Sequence, residues 1–356
     1  MSFSIKTALI TATSALVLAG TPAFAQSEAS TAPTPWDEDY EPPRLSDGTP
    51  SFEGVWSQGS LTVLERSPQF KGLTLSPERA AAIEQGREKA MEASNQPTDP
   101  DEGAPEAGGD AGGYNTFWMD PGTRFGVIDG EIRTSWIVEP SDGQIPYTEA
   151  GREESVIART AARENFDDPE IRMAGERCTV GFGSTGTPPM VNVLYNNHLQ
   201  FFQAPDVVSI LVEMNHNARM VRIDQDHGPE AMQPWLGDSI GHWDGDTLVV
   251  ETTNFHPQNS VRSALRHYVY LQPDSVVEER FTRVADDVIH YEFTVTDPDL
   301  FTQPWKGEMP LWRAEGPIYE YACHEGNYAL PGIMAGARRK EAEAASSASE
   351  QPSAGN

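Results

Sequence analysis

The run VVEERFTRVADDVIHYEFTVTD, residues 276–297, alternates apolar and polar side chains with a period of two on either side of Asp286-Asp287. Successive side chains of a strand point to opposite faces, so the run reads as two long strands, Val276 to Arg283 and Val288 to Asp297, joined by a tight turn. One face carries Val277, Phe281, Ile289, Tyr291, Phe293 and Val295; the other carries Glu278, Arg280, Thr282, His290, Glu292 and Thr294. In an open sheet the polar face would meet water. If the sheet closes with that face inward, the same residues line a polar lumen suited to a hydroxylated or charged ligand.

Upstream, further short segments read as strands: Met190 to Tyr195, Leu199 to Gln203, Val207 to Glu213, Arg219 to Ile223, Ile240 to Trp243 and Thr247 to Asn254. Asp244-Gly245 marks a hairpin between the last two. Short connections favour antiparallel neighbours, and nothing helical intervenes to carry a parallel crossover. The expected fold is mainly β, an antiparallel meander closed or nearly closed into a barrel, with one or two peripheral helices. Ser76 as cap and Pro77 at the first helical position announce a helix through Glu92. A second is expected from about Arg152 to Asn165.

The N-terminus places Lys6 before an apolar run from Thr7 to Gly20 and the small-residue signal Ala23-Phe24-Ala25. That order is that of a cleavable signal peptide over residues 1–25, and it implies a periplasmic or secreted product. Residues 26–50 read as a flexible lead-in, 51–340 as one β-rich domain and 341–356, rich in Ala, Ser and Glu, as a disordered tail. The formal charge of −29 repels phosphate backbones and anionic lipid surfaces. Neither nucleic acid nor a membrane span is expected, and oligomeric state is not encoded in these features. Two cysteines, Cys178 and Cys323, are expected to pair in an oxidising compartment. A nucleophilic thiol at Cys323 beside His324 is the alternative.

Chemistry is expected at three places. The polar face of the long hairpin offers Glu278, Arg280 and Glu292 for proton transfer and charge stabilisation. Glu251 and Asn254 differ in parity, so only one of them suits a common pocket. His216 sits between two strands, where a barrel mouth would lie. His324 and Glu325 belong to the polar and aromatic cluster Tyr319 to Tyr328, which the disulfide would tie to Gly181, Gly183, Ser184 and Gly186. That glycine-rich stretch lacks the lysine of a phosphate loop, and Gly183-Ser184-Thr185 does not fit G-x-S-x-G. His216 and His227 have no HExxH-type spacing, so neither a metal nor a cofactor is expected. Trp235, Trp243, Trp305 and Trp312 are either sugar-stacking platforms or packing groups.

The strings GGYNTFWMD (Gly112 to Asp120), RTSWIVEPSDGQIPY (Arg133 to Tyr147), ERCTVGFGSTGTPPM (Glu176 to Met190), GDSIGHWDGDTLVVETTNF (Gly237 to Phe255) and YEYACHEGNYAL (Tyr319 to Leu330) resemble a family of exported bacterial proteins. The resemblance spans about Gly54 to Arg338. It implies the domain limits and export, and it carries over no catalytic residue. Gly54-Val55-Trp56 at the start of a strand-rich domain also resembles the entry to a calycin or lipocalin-like barrel. The residues together suggest an enzyme, a hydrolase, lyase or isomerase, acting on a small organic or carbohydrate molecule by acid-base chemistry. The rival is a lipocalin-like binding protein that holds its small-molecule ligand unchanged, and a third possibility is an envelope interaction module using exposed aromatics.

Overall fold

The computed structural model describes residues 33–96, 103, 119–183, 185–323 and 328–350. The signal-peptide region, Ser184, His324 and Glu325 lie outside the described residues. In chain order the elements begin with β1 (Val55–Ser57), β2 (Thr74–Leu75), α1 (Pro77–Ser94), β3 (Val127–Ile128), β4 (Glu131–Arg133), β5 (Ile137–Glu139) and α2 (Glu149–Glu164). They continue with β6 (His198–Ala204), β7 (Val207–Val212), β8 (Ala218–Ile223), β9 (Asp238–Asp244), β10 (Thr247–Thr253), β11 (Val261–Ala264) and β12 (His267–Tyr270). The last are β13 (Val276–Ala285), β14 (Val288–Thr296), β15 (Trp305–Arg313) and α3 (Ala329–Glu350).

Nine strands close into a barrel in the order β1-β6-β7-β8-β9-β10-β13-β14-β15, and β15 returns to β1 through Trp56 opposite Arg313 and Ser57 opposite Trp312. The barrel is mixed. β8 and β9 run parallel, with Val221 beside Ser239 and Ile223 beside Gly241, where an all-antiparallel meander was expected. A helix is not needed for this crossover, because residues 224–237 supply a loop long enough to return the chain to the same end of the sheet. Asp238 anchors that loop: it accepts from Arg222 Nη1 at 2.8 Å and from Gly228 N–H at 2.7 Å, and His227 Nδ1 lies 3.1 Å away.

The two expected strands of the long hairpin form and pair Val277 with Val295, Phe281 with Tyr291 and Arg280 with Glu292, with the register shifting at a bulge between Arg283 and Ala285. Its apolar face, however, is the one that points inward. Phe201 touches Phe52 and Phe281 at ring-centroid distances of 5.3 and 5.5 Å. The stack continues from Phe281 to Tyr291 at 4.8 Å, Phe293 at 5.7 Å and Trp305 at 5.7 Å. Each ring removes some 150–250 Å² from water, a gain that turning the charged face inward would forfeit. The barrel interior is a packed core rather than a polar lumen.

Elements outside the barrel cover parts of its wall. β2, β4 and β3 form a small sheet, and β11 and β12 form a separate hairpin. Ser76 and Thr148 cap α1 and α2, accepting from Arg79 N–H at 3.4 Å and Gly151 N–H at 2.9 Å. Residues expected as a flexible lead-in lie against the wall from Pro33 on: Asp129 accepts from Trp36 N–H at 2.9 Å, and Arg44 pairs with Asp246 at 2.8 Å. Helix α3 runs through Glu350, past the expected disordered boundary at Glu341. Alanine is the strongest helix former, and Arg339 supports the helix by pairing with Glu343 one turn on at 2.8 Å. The expected strand Met190 to Tyr195 is instead a mostly buried extended segment. Its amides are satisfied by side chains: Met190 N–H donates to the Tyr291 hydroxyl at 2.9 Å and Val193 N–H to Asn197 Oδ1 at 2.8 Å.

Candidate functional site

Inward packing of the aromatic face puts the expected hairpin residues outside. Glu278 is exposed, and Arg280 and Glu292 are half-buried neighbours on the outer face. Arg280 bonds Asp244 at 3.0 Å rather than a common pocket. His216 is exposed on the turn before β8. The disulfide between Cys178 and Cys323 forms, with Cα atoms 5.2 Å apart. It leaves no thiol nucleophile, and it ties the segment ending at Cys323 near the His216 turn, where Asn215 Nδ2 donates to Cys178 O at 3.4 Å and Tyr319 N–H to Glu213 Oε1 at 2.9 Å. His324 and Glu325 follow directly, outside the described residues. Glu251 faces outward and meets His227 at 3.1 Å. Among the tryptophans, Trp305 is fully buried, and Trp235 stacks on His256 at 3.8 Å.

A different group converges beside the β11–β12 hairpin. Its two-residue turn, Leu265-Arg266, places Arg266 at φ 66°, a left-handed conformation that Asn or Gly adopts more readily. The turn brings His267 to Glu65, some two hundred residues away in sequence, with Nδ1 3.1 Å from Oε2. The other Glu65 oxygen accepts from Ile145 N–H at 3.0 Å. Helix α2 adds Arg152, Ser155 and Arg159, which fall on one helical face at i, i+3 and i+7. The Arg152 guanidinium lies 5.5 Å from the Tyr147 ring centroid, and that of Arg159 lies 5.5 Å from Tyr268. Together with Arg266 these groups enclose a cleft of about 250 Å³.

The electrostatics are one-sided. Three arginines line this cleft against one carboxylate, Glu65, in a chain of net charge −29. Burial pushes the Glu65 carboxyl up, but the hydrogen bonds from His267 and the Ile145 amide, with Arg152 nearby, outweigh it and hold the group below its ordinary range. Glu65 is therefore ionised at neutral pH and accepts from His267 Nδ1–H. That tautomer, assigned from the hydrogen-bond geometry, leaves Nε2 as the basic nitrogen. Burial raises the Tyr147 phenol to about 12, against lowering by Ser155. Tyr147 thus keeps its proton and is a hydrogen-bond donor at physiological pH.

A second, more apolar cleft of about 550 Å³ shares Arg266, His267 and Tyr268 with the first; its further lining includes Leu61, Phe182, Val193, Leu194 and Leu265, with Arg87 as a further cation. Both clefts lie outside the barrel strands. An oriented imidazole, a protonated phenol and three guanidinium groups can bind an anion, accept a proton and stabilise developing negative charge.

Comparison with protein-family models, with curated proteins and with solved structures gives no match.

None of the residues of this cleft is among the sequence-expected site residues. The local sign was the hairpin turn itself, Leu265-Arg266-His267, where bulky and charged residues replace the usual Asn-Gly. No helix among the described residues is long and apolar enough to cross a membrane.

Proposed function

We propose that the protein is exported to the periplasm or beyond and acts there as an enzyme on a small anionic organic molecule, a carboxylate or phosphate ester. Hydrolase, lyase and isomerase chemistry all fit the groups present. The reading rests on one observation: the Glu65–His267 pair, 3.1 Å apart, opens onto a cleft lined by Arg152, Arg159 and Arg266. The arginines bind the anionic group of the substrate. Glu65 holds the imidazole in the tautomer that presents Nε2, and Nε2 takes a proton from substrate or water. Tyr147 donates a hydrogen bond, and the guanidinium groups stabilise the charge that develops. A binder that uses the barrel interior is disfavoured by the aromatic rings filling it.

The test is turnover of a panel of organic carboxylates, hydroxy acids and phosphate esters, followed by mass analysis. For any compound converted, His267→Ala and Glu65→Gln are expected to lower turnover by about 10²–10⁴ with little change in affinity. Arg159→Gln is expected to weaken binding instead. Turnover unaffected by His267→Ala would reject this site. Export is checked by N-terminal sequencing of the product recovered outside the cytoplasm, which should begin at Gln26.

A further inference from the structure

Among the described residues five arginines are buried: Arg133, Arg172, Arg219, Arg262 and Arg283. Four of them have hydrogen-bonded partners. Arg133 meets Glu308, Arg172 meets Glu176, Arg219 meets Glu279, and Arg283 donates to the carbonyls of Ser51, Ala285 and Asp286. Arg262, on β11 and 1% exposed, is the exception among the described residues: its Nε and Nη2 atoms bond nothing. Its guanidinium sits 5.7 Å from the Phe255 ring centroid, and the residue across the hairpin is the fully buried Val269.

A lone guanidinium in apolar surroundings carries a large desolvation penalty unless an anion or polar group meets it. Glu279 does not serve: its oxygens accept from Arg219 and Tyr291, and the free Nε and Nη2 of Arg262 make no hydrogen bond to it. The Arg219 Nε is also unpartnered, and both guanidiniums lie within electrostatic reach of Tyr291. The core around Tyr291 therefore contains two cations and one carboxylate.

The free atoms of Arg262 identify the ligand. Nε and Nη2 form the side edge of the guanidinium, which accommodates two oxygens of one oxyanion in parallel. In this same protein that edge of Arg172 receives Glu176, with Nε to Oε2 at 2.8 Å and Nη2 to Oε1 at 3.1 Å. We infer that Arg262 is the anchor of a buried anion site that takes a small carboxylate through its Nε/Nη2 edge, separate from the Glu65–His267 cleft. Burial pulls the Arg262 guanidinium down to about 9, so it is still charged at neutral pH and gains from such a partner.

The hairpin β11–β12 lies outside the barrel sheet and is held there by Ser263 N–H to Phe182 O at 3.0 Å and Leu265 N–H to Asn192 O at 2.9 Å, so loading is complete when the chain folds in the presence of the anion. The test is refolding from urea, at pH 7 and constant ionic strength in sodium formate, acetate, sulfate or chloride, of an Arg152→Gln, Arg159→Gln variant in which the Glu65–His267 cleft no longer holds the anion. Formate or acetate should raise the folding equilibrium constant about tenfold for each tenfold increase above the dissociation constant, and chloride should not. Arg262→Met should abolish the response. Where Arg262→Met does not fold, Arg262→Lys keeps the charge without the fork, and its carboxylate response should fall at least tenfold. Equal responses to chloride and carboxylate, a response to sulfate alone, or a carboxylate response that survives loss of the Arg262 fork would each overturn the inference.

Discussion

Arg219 and Glu279 form a bidentate ion pair inside the barrel, with Nη1 2.6 Å from Oε2 and Nη2 3.1 Å from Oε1. Tyr291 donates to the same carboxylate at 2.8 Å and accepts from the Met190 amide at 2.9 Å. The pair ties β8 to β13 through the middle of a largely apolar interior. Removing one partner leaves a buried charge uncompensated, which typically costs about 3–5 kcal/mol. Glu279→Ala should therefore lower unfolding stability in urea by that amount, whereas Glu278→Gln, on the exposed face one residue away, should stay within about 0.5 kcal/mol. Arg219→Met combined with Glu279→Leu should recover most of the loss. Equal effects at positions 278 and 279 would contradict the inward assignment of this face.

The same pair shows what could be read in the sequence. The period of two in residues 276–297 specifies two strands, and both are found. Glu279 and Arg283 share the parity of Val277 and Phe281, yet their partners, Arg219 on another strand and the carbonyls of Ser51 and Asp286, are invisible locally. A charge on an apolar face is a sign of such a partner, and here it was the better guide than the continuous charged face. His267 and Glu65 meet only because the β11–β12 turn is seated beside α2, a tertiary event that no local pattern encodes. The parallel β8–β9 pairing was hidden for a similar reason, since it depends on a loop held by Asp238.

Gly307 on β15 faces Phe293 on β14, and a Cβ at Gly307 would lie 2.2 Å from the ring. The aromatic ring covers the glycine and completes the core there. Gly307→Ala should destabilise the fold by about 1–3 kcal/mol through overpacking, measured as a shift of the urea midpoint at unchanged slope. A neutral effect would mean the ring has room to move.

The disulfide closes a loop of 145 residues. Cys178→Ser with Cys323→Ser should cost about 2–5 kcal/mol, chiefly by freeing the unfolded chain. Reductant should reproduce the loss in the wild type and leave the double variant unchanged. A reductant effect of the same size in the double variant would assign the loss elsewhere.

His198 and Glu213, 3.0 Å apart, give a pH signature. The hydrogen bond that His198 Nδ1–H donates to Glu213 raises the His198 pKa against its burial. Burial pushes Glu213 up, but His198 and the Tyr319 amide hold it below its ordinary range. The raised histidine contributes fully below its unfolded value of about 6.5 and loses that contribution as pH rises through the higher folded value. The lowered carboxyl contributes above about 4.3 and loses its share as pH falls through the folded value. The thermal-midpoint difference between wild type and His198→Gln should therefore be largest between about pH 4.3 and 6.5 and shrink at alkaline pH. A difference that grows with alkalinity would contradict the pairing.

The proposed placement of an active centre at His267 is tested most directly by acylating the histidines with diethyl pyrocarbonate and reading each site by peptide mass spectrometry, with and without succinate or inorganic phosphate. His267 is expected to be shielded by the anions, and Arg152→Gln with Arg159→Gln should abolish the shielding, while the exposed His216 reacts at the same rate throughout and serves as the internal reference. Labelling of His267 that is indifferent to both anions, in parallel with His216, would contradict the assignment.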